Sequence, residues 1–160
     1  MTNTPLKLGF IGLGIMGAPM AGHLRAAGHA LFVATRSQVP QALLDAGAVR
    51  CGSPREVAAA ADIVFTMLSD GAAVTDVLFS QGVVDALKRG AVVVDTSSIA
   101  PPMARDHAAR LAKLGIAHVD TQDNFLDLGG HSLLATRVIS LISGTLGSEV
   151  ALRVLFEYAE

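Results

Sequence analysis

The chain has 160 residues and a formal net charge of −2, and its charged residues are scattered. This distribution excludes the clustered basic face of a nucleic-acid-binding protein. Hydrophobic residues make up 51% of the sequence, with no Trp and one Tyr, which favours a buried α/β core over a binding surface built on aromatic side chains. No apolar run is long enough to span a bilayer, and the first apolar run leads directly into turn glycines rather than to a signal-peptide cleavage site. We therefore expect a cytoplasmic protein with no membrane or nucleic-acid partner.

Cys51 is the single cysteine, so a disulfide framework within the chain is excluded and a reducing compartment is favoured. No neighbouring residue identifies it as a nucleophile. We interpret it as a small buried hydrophobic residue.

Short apolar runs alternate with amphipathic ones over residues 6–120. In chain order the pattern predicts a strand over 6–11, a helix over 16–27, a strand over 30–35, a helix over 40–45 and a short strand over 49–51. A helix follows from residue 54, then a strand over 62–68, helices over 72–78 and 83–88, a strand over 91–95, a helix over 101–114 and a strand over 116–120. Gly28 is suited to end the first of these helices in a left-handed conformation, and Ser53-Pro54-Arg55-Glu56 has the pattern of a capping box with proline at the first helical position.

Continuous apolar strands that are each followed by a helix indicate a parallel sheet covered on both faces. Right-handed crossovers make a doubly wound sheet the natural topology. We predict an α/β fold, a Rossmann-type doubly wound parallel sheet over residues 1–120, with a C-terminal helical appendage over residues 121–160.

The glycine-rich turn between the first strand and the first helix reads Gly12-Leu13-Gly14-Ile15-Met16-Gly17. The first glycine allows a tight turn, the second lets a pyrophosphate approach the backbone, and the third lets helix and strand pack closely. The strand before the motif and the helix after it agree with this interpretation. The turn therefore predicts a dinucleotide-binding site, the alternative being a purely structural turn.

The end of the second strand decides between cofactors, because an acidic residue there binds the ribose 2′-hydroxyl of NAD. This sequence has Thr35-Arg36-Ser37 and no carboxylate. Arg36 could pair with a 2′-phosphate, and the two hydroxyls could add hydrogen bonds. We predict NADP in preference to NAD; the alternative is that Arg36 is a solvated surface charge.

Three stretches, GFIGLGIMGAPMAGHLRAAGH, TMLSDGAAVTDVLF and VVVDTSSIAPPMARDHAARLAKLGIAHVD, resemble the β-hydroxyacid dehydrogenases, the family of 3-hydroxyisobutyrate dehydrogenase and tartronate semialdehyde reductase. The resemblance covers residues 4–120. It implies that Met67 and Leu68 line the adenosine and nicotinamide side of the cofactor, and that Ser97 and Ser98 lie near the nicotinamide ring. The alternative for the two serines is a helix-entry cap before Pro101.

In that family the sixth strand leads into a D-x-P-V-S-G-G segment that binds the substrate carboxylate, and then to a helix carrying a catalytic lysine and a helical second domain. Here Asp120 is followed by Thr121-Gln122-Asp123-Asn124, and no lysine occurs after it. General acid–base catalysis contributes about 10²–10⁴ in rate. We therefore predict cofactor binding without efficient turnover, and we assign no catalytic residue and no metal ligand.

The stretch DNFLDLGGHSLLATRVIS, over residues 123–140, resembles the core of the peptidyl carrier domains of nonribosomal peptide synthetases. The resemblance continues through VALRVLFEYAE and implies that Ser132 carries 4′-phosphopantetheine. A helix N-terminus also suits a phosphodiester electrostatically. The alternative is that Ser132 only caps the helix that follows.

Three hypotheses remain: a dinucleotide-binding domain joined to a foreign helical piece, a carrier protein, or a folded chimera with neither activity. Two family signatures that meet at residues 119–124 without a linker favour a recombined chain. The apolar stripe of residues 133–142 has too few partner helices in a half-bundle, so it must pack on the sheet edge, on the predicted helix over 101–114 or on a second chain. We therefore expect a homodimer formed through the C-terminal helix.

Overall fold

A computed structural model of the protein describes residues 5–120, which lie within one compact unit, Thr4–Thr121. Six parallel strands form one sheet in the order β3-β2-β1-β4-β5-β6, as the sequence predicts for a doubly wound fold. The strands are β1 (Lys7–Ile11), β2 (Ala30–Ala34), β3 (Val49–Arg50), β4 (Ile63–Thr66), β5 (Val92–Asp95) and β6 (Ala117–Asp120). The strand order reverses between β1 and β4, so the fold has its topological switch point there.

Within residues 5–120, six α-helices connect the strands: α1 (Gly17–Ala26), α2 (Gln41–Asp45), α3 (Pro54–Ala60), α4 (Gly71–Thr75), α5 (Val83–Ala86) and α6 (Pro101–Ala112). The predicted helix over residues 72–78 is wrong in its second half. After Thr75 the chain enters a π-helical turn, Asp76–Ser80, in which the Gln81 N–H donates to the Asp76 carbonyl oxygen at 2.9 Å. The helices predicted over 83–88 and 101–114 end two residues earlier than expected.

The start of α3 has the predicted cap with one difference. Ser53 Oγ accepts a hydrogen bond from the Glu56 N–H at 3.2 Å, and Pro54 occupies the first helical position. The Glu56 carboxylate, however, accepts from the Gly52 N–H at 2.7 Å rather than from Ser53. The Glu56 side chain therefore binds the residue before the N-cap instead of the N-cap itself. This bond connects the loop after β3 to the first turn of α3.

The core is centred on β1, whose Leu8 and Phe10 are fully buried. Phe10 stacks on Phe65 of β4 with ring centroids 5.9 Å apart. Burying each such side chain contributes about 1.5–3 kcal/mol. The core therefore holds the end of β1, and with it the start of the glycine-rich turn, in a fixed position at the switch point.

Within residues 5–120, no helix combines the length and the apolar character that crossing a membrane requires. Ser132 and the apolar stripe of residues 133–142, through which we expect a homodimer to form, lie outside the described residues.

Candidate functional site

A cleft of about 790 Å³ opens at the carboxyl ends of β1, β2 and β4, at the switch point of the sheet. Its walls are the loops that follow β1 to β4, together with α4 and the π-helical turn. The lining residues are 11–17, 34–37, 51–54, 67–69, 73, 76, 77 and 81. Ligands of open α/β sheets bind in such crevices beyond the strand ends.

Gly12 closes the turn after β1 in a conformation that only glycine adopts readily, with φ +100°. Its N–H donates to the Ala34 carbonyl oxygen at 3.0 Å, and a Cβ at this position would overlap the Met67 carbonyl oxygen. A Cβ on Gly17 would in turn overlap the Gly12 carbonyl oxygen. These two glycines are therefore required by the close packing of the turn between β2, β4 and α1.

Gly14 differs from both, because nothing in the surrounding protein demands a glycine there. Its φ is not positive, and a Cβ at this position would meet no atom of residues 5–120 within 4 Å. It is exposed at the cleft, next to Ile15, which is 94% exposed. The space in front of Gly14 is therefore available to a ligand.

Helix α1 begins at this loop without a side-chain cap and with no acidic residue in its first turn. Its N-terminal amides therefore keep the partial positive charge of a helix end, which favours an anion in the cleft. The second glycine position leaves room for such an anion to approach.

Among the lining residues that the structure describes, one side chain is cationic, that of Arg36 at the end of β2. It is exposed and forms no ion pair within residues 5–120. Thr35 Oγ1 accepts a hydrogen bond from the Leu13 N–H at 3.4 Å and lies 3.4 Å from Ser37 Oγ. The predicted residues of this segment thus lie together on the cleft wall, with the Thr35 hydroxyl tied to the glycine-rich turn.

Arg36 also affects the pKa of a carboxyl group, that of Asp70. The pKa of Asp70 is lowered by hydrogen bonds from the Ala73 N–H and the Ser69 hydroxyl and, to a smaller extent, by the positive charge of Arg36. Asp70 is the N-cap of α4, whose Ala73 lines the cleft.

The predicted residues after β4 and β5 are placed differently from one another. Met67 and Leu68 line the cleft, whereas Ser97 and Ser98 do not. Ser97 is buried, and its Oγ accepts a hydrogen bond from the Leu68 N–H at 2.9 Å. Ser98 is exposed. Ser97 therefore acts on the cleft through the backbone of Leu68.

Asp95, the last residue of β5, organises the same region and was not singled out from the sequence. It is 1% exposed, and its Oδ1 accepts hydrogen bonds from Thr66 Oγ1 at 2.8 Å and from the Ser97 N–H at 3.0 Å. Its Oδ2 is buried and has no hydrogen-bond partner within residues 5–120. Asp95 thereby connects the ends of β4 and β5. It also positions Ser97, whose hydroxyl accepts the hydrogen bond from the Leu68 N–H.

His107 links α6 to α4 behind the cleft. Its Nε2 lies 2.7 Å from Thr75 Oγ1, and the Thr75 hydroxyl donates to the Gly71 carbonyl oxygen at 2.9 Å. Because Thr75 has a single O–H proton, Nε2 must be the donor in the bond to Thr75. Burial lowers the pKa of His107, and the nearby His118 lowers it further.

Several lining residues escaped the sequence analysis, among them Ser53, Asp76 and Gln81. Cys51 was expected to be a buried hydrophobic residue, but it is half-buried and forms part of the cleft wall. Burial and, secondarily, Glu56 raise the pKa of its thiol, so it is a poor nucleophile. Its position could have been found from topology, because the residue after β3 belongs to the same sheet edge as Arg36.

Comparison with known proteins agrees with this geometry. The family model of the NAD-binding domain of 6-phosphogluconate dehydrogenase matches residues 7–122. The chain therefore belongs to this family. A second model, the phosphopantetheine attachment site, matches residues 105–160. This range is longer than the resemblance found in the sequence, and it overlaps the first match over α6 and β6.

The similar proteins include dehydrogenases and reductases. The 2-hydroxy-3-oxopropionate reductase of Escherichia coli K12 is 45% identical over 116 residues, which is 72% of this chain and 40% of that protein. The 3-hydroxyisobutyrate dehydrogenase of Mycobacterium tuberculosis superposes with a TM-score of 0.77 at 25% identity, over 92% of this chain and 54% of that one. The imine reductase of Myxococcus stipitatus in complex with NADP⁺ gives a TM-score of 0.66 at 25% identity, over 71% and 39% of the two chains. This chain spans about 40% of the length of the curated relatives that it matches.

Proposed function

We propose that the chain binds a nicotinamide dinucleotide in this cleft, with NADP(H) preferred to NAD(H). The observation that carries the proposal is the combination of open space at Gly14 with a cation at the end of β2, Arg36, that forms no ion pair within residues 5–120. A pyrophosphate at the uncapped end of α1 and a 2′-phosphate at Arg36 would satisfy both features. The NADP⁺ complex of the related imine reductase supports the choice of ligand.

We also propose that these 160 residues bind the cofactor without turning over a hydroxyacid. The support is the residue content: the last lysine is Lys113, on the turn after α6, so no lysine is present beyond β6 to serve as general acid. Incubation with NADPH and 2-hydroxy-3-oxopropionate should therefore leave the absorbance of NADPH unchanged.

Titration of NADPH and NADH, followed by the fluorescence of the reduced nicotinamide, tests the binding proposal. Arg36→Ala should weaken NADPH binding about tenfold or more and leave NADH binding nearly unchanged, since it removes a charge-assisted hydrogen bond to phosphate. Arg89→Ala is the matched control, because Arg89 is exposed and lies outside the cleft. If the native chain bound neither cofactor, the proposal would be wrong.

The second candidate function is that of a carrier with 4′-phosphopantetheine on Ser132. It is favoured by the phosphopantetheine attachment match over residues 105–160, which includes the Gly129-Gly130-His131-Ser132 sequence. Intact-mass analysis after incubation with coenzyme A and a phosphopantetheinyl transferase should show one added group. Ser132→Ala should abolish the addition and Ser140→Ala should not; an unmodified native chain would contradict the candidate.

A further inference from the structure

Two charged side chains line the described part of the cleft, Arg36 and Asp76. Arg36 suits a phosphate, but Asp76 has the opposite charge and would repel one. Any part of the ligand that contacts Asp76 should therefore offer hydrogen-bond donors. Its surroundings identify which part.

The π-helical turn pairs Asp76 with Gln81. The Gln81 Nε2 donates to Asp76 Oδ2 at 2.6 Å, and the Gln81 backbone N–H donates to the Asp76 carbonyl oxygen. In an α-helix, residues five apart lie about 140° apart around the axis, whereas the wider π turn brings them together on one side. A carboxylate can only accept hydrogen bonds, so the amide nitrogen of Gln81 must face Asp76.

This pair lies at the β3 side of the cleft. Gln81 precedes Gly82, and a Cβ at Gly82 would lie 2.8 Å from a guanidinium nitrogen of Arg55 in the first turn of α3. Pro54, at the start of α3, is also a lining residue. Arg36 follows β2, the neighbour of β3, whereas Leu68 and Ser97 lie on the β4 and β5 side. Asp76 and Gln81 are therefore in the half of the cleft that contains the proposed 2′-phosphate site.

The adenine base is joined to the ribose that carries this 2′-phosphate, so it belongs to the same half of the cleft. We propose that Asp76 and Gln81 recognise the adenine edge of the dinucleotide, an inference that rests on the proposed function. Asp76 Oδ1 accepts no hydrogen bond within residues 5–120 and would accept from the adenine 6-amino group. The second N–H of the Gln81 amide would donate to adenine N1.

The inference predicts that the chain distinguishes adenine from hypoxanthine, which differ in the 6-substituent and in the protonation of N1. Hypoxanthine has a 6-oxo acceptor and an N1–H donor, the reverse of adenine, so it would place acceptor against acceptor and donor against donor. The native chain should therefore bind NADPH about tenfold or more tightly than reduced nicotinamide hypoxanthine dinucleotide phosphate, because a hydrogen bond to a charged group is lost.

Competitive titration of the two dinucleotides tests the inference. Asp76→Ala should reduce NADPH affinity to nearly that of the hypoxanthine analogue, and Asp76→Asn should bind both about equally, since an amide can accept or donate. Asp45→Ala is the matched control: it removes a similar bond, from Gln41 Nε2 to Asp45 Oδ1 at 2.9 Å, on a helix outside the cleft.

The outcomes separate the inference from the proposed function. If the native chain bound both dinucleotides equally well, or if Asp76→Ala kept the full preference for NADPH, the inference would be overturned while dinucleotide binding stood. If NADPH did not bind at all, the proposed function itself would fail. Should Asp76→Ala not fold, Gln81→Ala provides the same comparison and should lose part of the preference; an unchanged preference would again overturn the inference.

Discussion

At the scale of single residues, glycines with similar backbone angles have different surroundings. Gly12 has φ +100° and Gly90 has φ +80°, but a Cβ at Gly12 would overlap the Met67 carbonyl oxygen, whereas one at Gly90 would meet nothing within 4 Å. The two positions therefore separate the cost of a left-handed backbone from the cost of a steric overlap.

Gly90→Ala should lower the free energy of unfolding by about 1–2 kcal/mol, the cost of placing an alanine in the left-handed region. Gly12→Ala should lower it by more, roughly 3 kcal/mol or above, because the loop after β4 must also move. Urea denaturation followed by circular dichroism measures both values. Equal losses would show that the contact with Met67 does not constrain the turn.

The residues that could be predicted from the sequence are those whose motif is local. Gly12, Gly14 and Arg36 are recognised from their spacing to one strand and one helix. Asp95 and Asp76 are not, since their roles depend on what the fold brings beside them. Asp95 is opposite Thr66 only through the register of β4 and β5, and Asp76 meets Gln81 only because the turn is π-helical.

At the scale of elements, α4 and α6 are joined by a polar contact between half-buried Thr75 and fully buried His107. Because burial lowers the pKa of His107 below its ordinary value of 6.5, the folded protein binds fewer protons at this site than the unfolded chain does as the pH falls. Burial also lowers the pKa of His29, which accepts a hydrogen bond from the Leu6 N–H through its Nδ1. The stability that both imidazoles contribute in neutral form is present above about pH 6.5 and is lost as the pH falls through their folded pKa values.

His107→Gln should reduce this loss, because an amide can still donate to Thr75 but does not titrate. We expect its free energy of unfolding to decline less between about pH 7.5 and pH 5 than that of the native chain. Urea denaturation at a series of pH values provides the comparison. His23→Gln is the control, since His23 is exposed and its replacement leaves His29 and His107 in place; an identical decline in the His107 variant would contradict the prediction.

Most elements follow from the hydrophobic pattern because each strand is a continuous apolar run bounded by turn residues. The π-helical turn does not, because its sequence DVLFS has the same apolar spacing as the α-helix that precedes it. Packing distinguishes the two: Leu78 is fully buried in the core, whereas Asp76 and Gln81 are exposed at the cleft. The extra residue in the turn allows both requirements to be met.

At the scale of the whole molecule, binding energy should appear as stability. A ligand that binds only the folded state stabilises it by about 2.7 kcal/mol at one hundred times its dissociation constant. NADPH at that concentration should therefore raise the melting temperature of the unit that contains residues 5–120 by roughly 10 °C. Differential scanning calorimetry measures the shift, and its absence at saturating NADPH would contradict binding to the folded cleft.

Gly14 has a practical consequence for all such experiments. Because its backbone is unstrained and no atom of the described residues lies within 4 Å of the position of a Cβ, an alanine there should leave folding intact while its methyl group blocks the approach of a pyrophosphate. Gly14→Ala would then be a control variant, here called the blank, that folds like the native chain but does not bind the dinucleotide. Any property that differs between the blank and the native chain reports occupancy of the cleft, and any property that they share belongs to the scaffold.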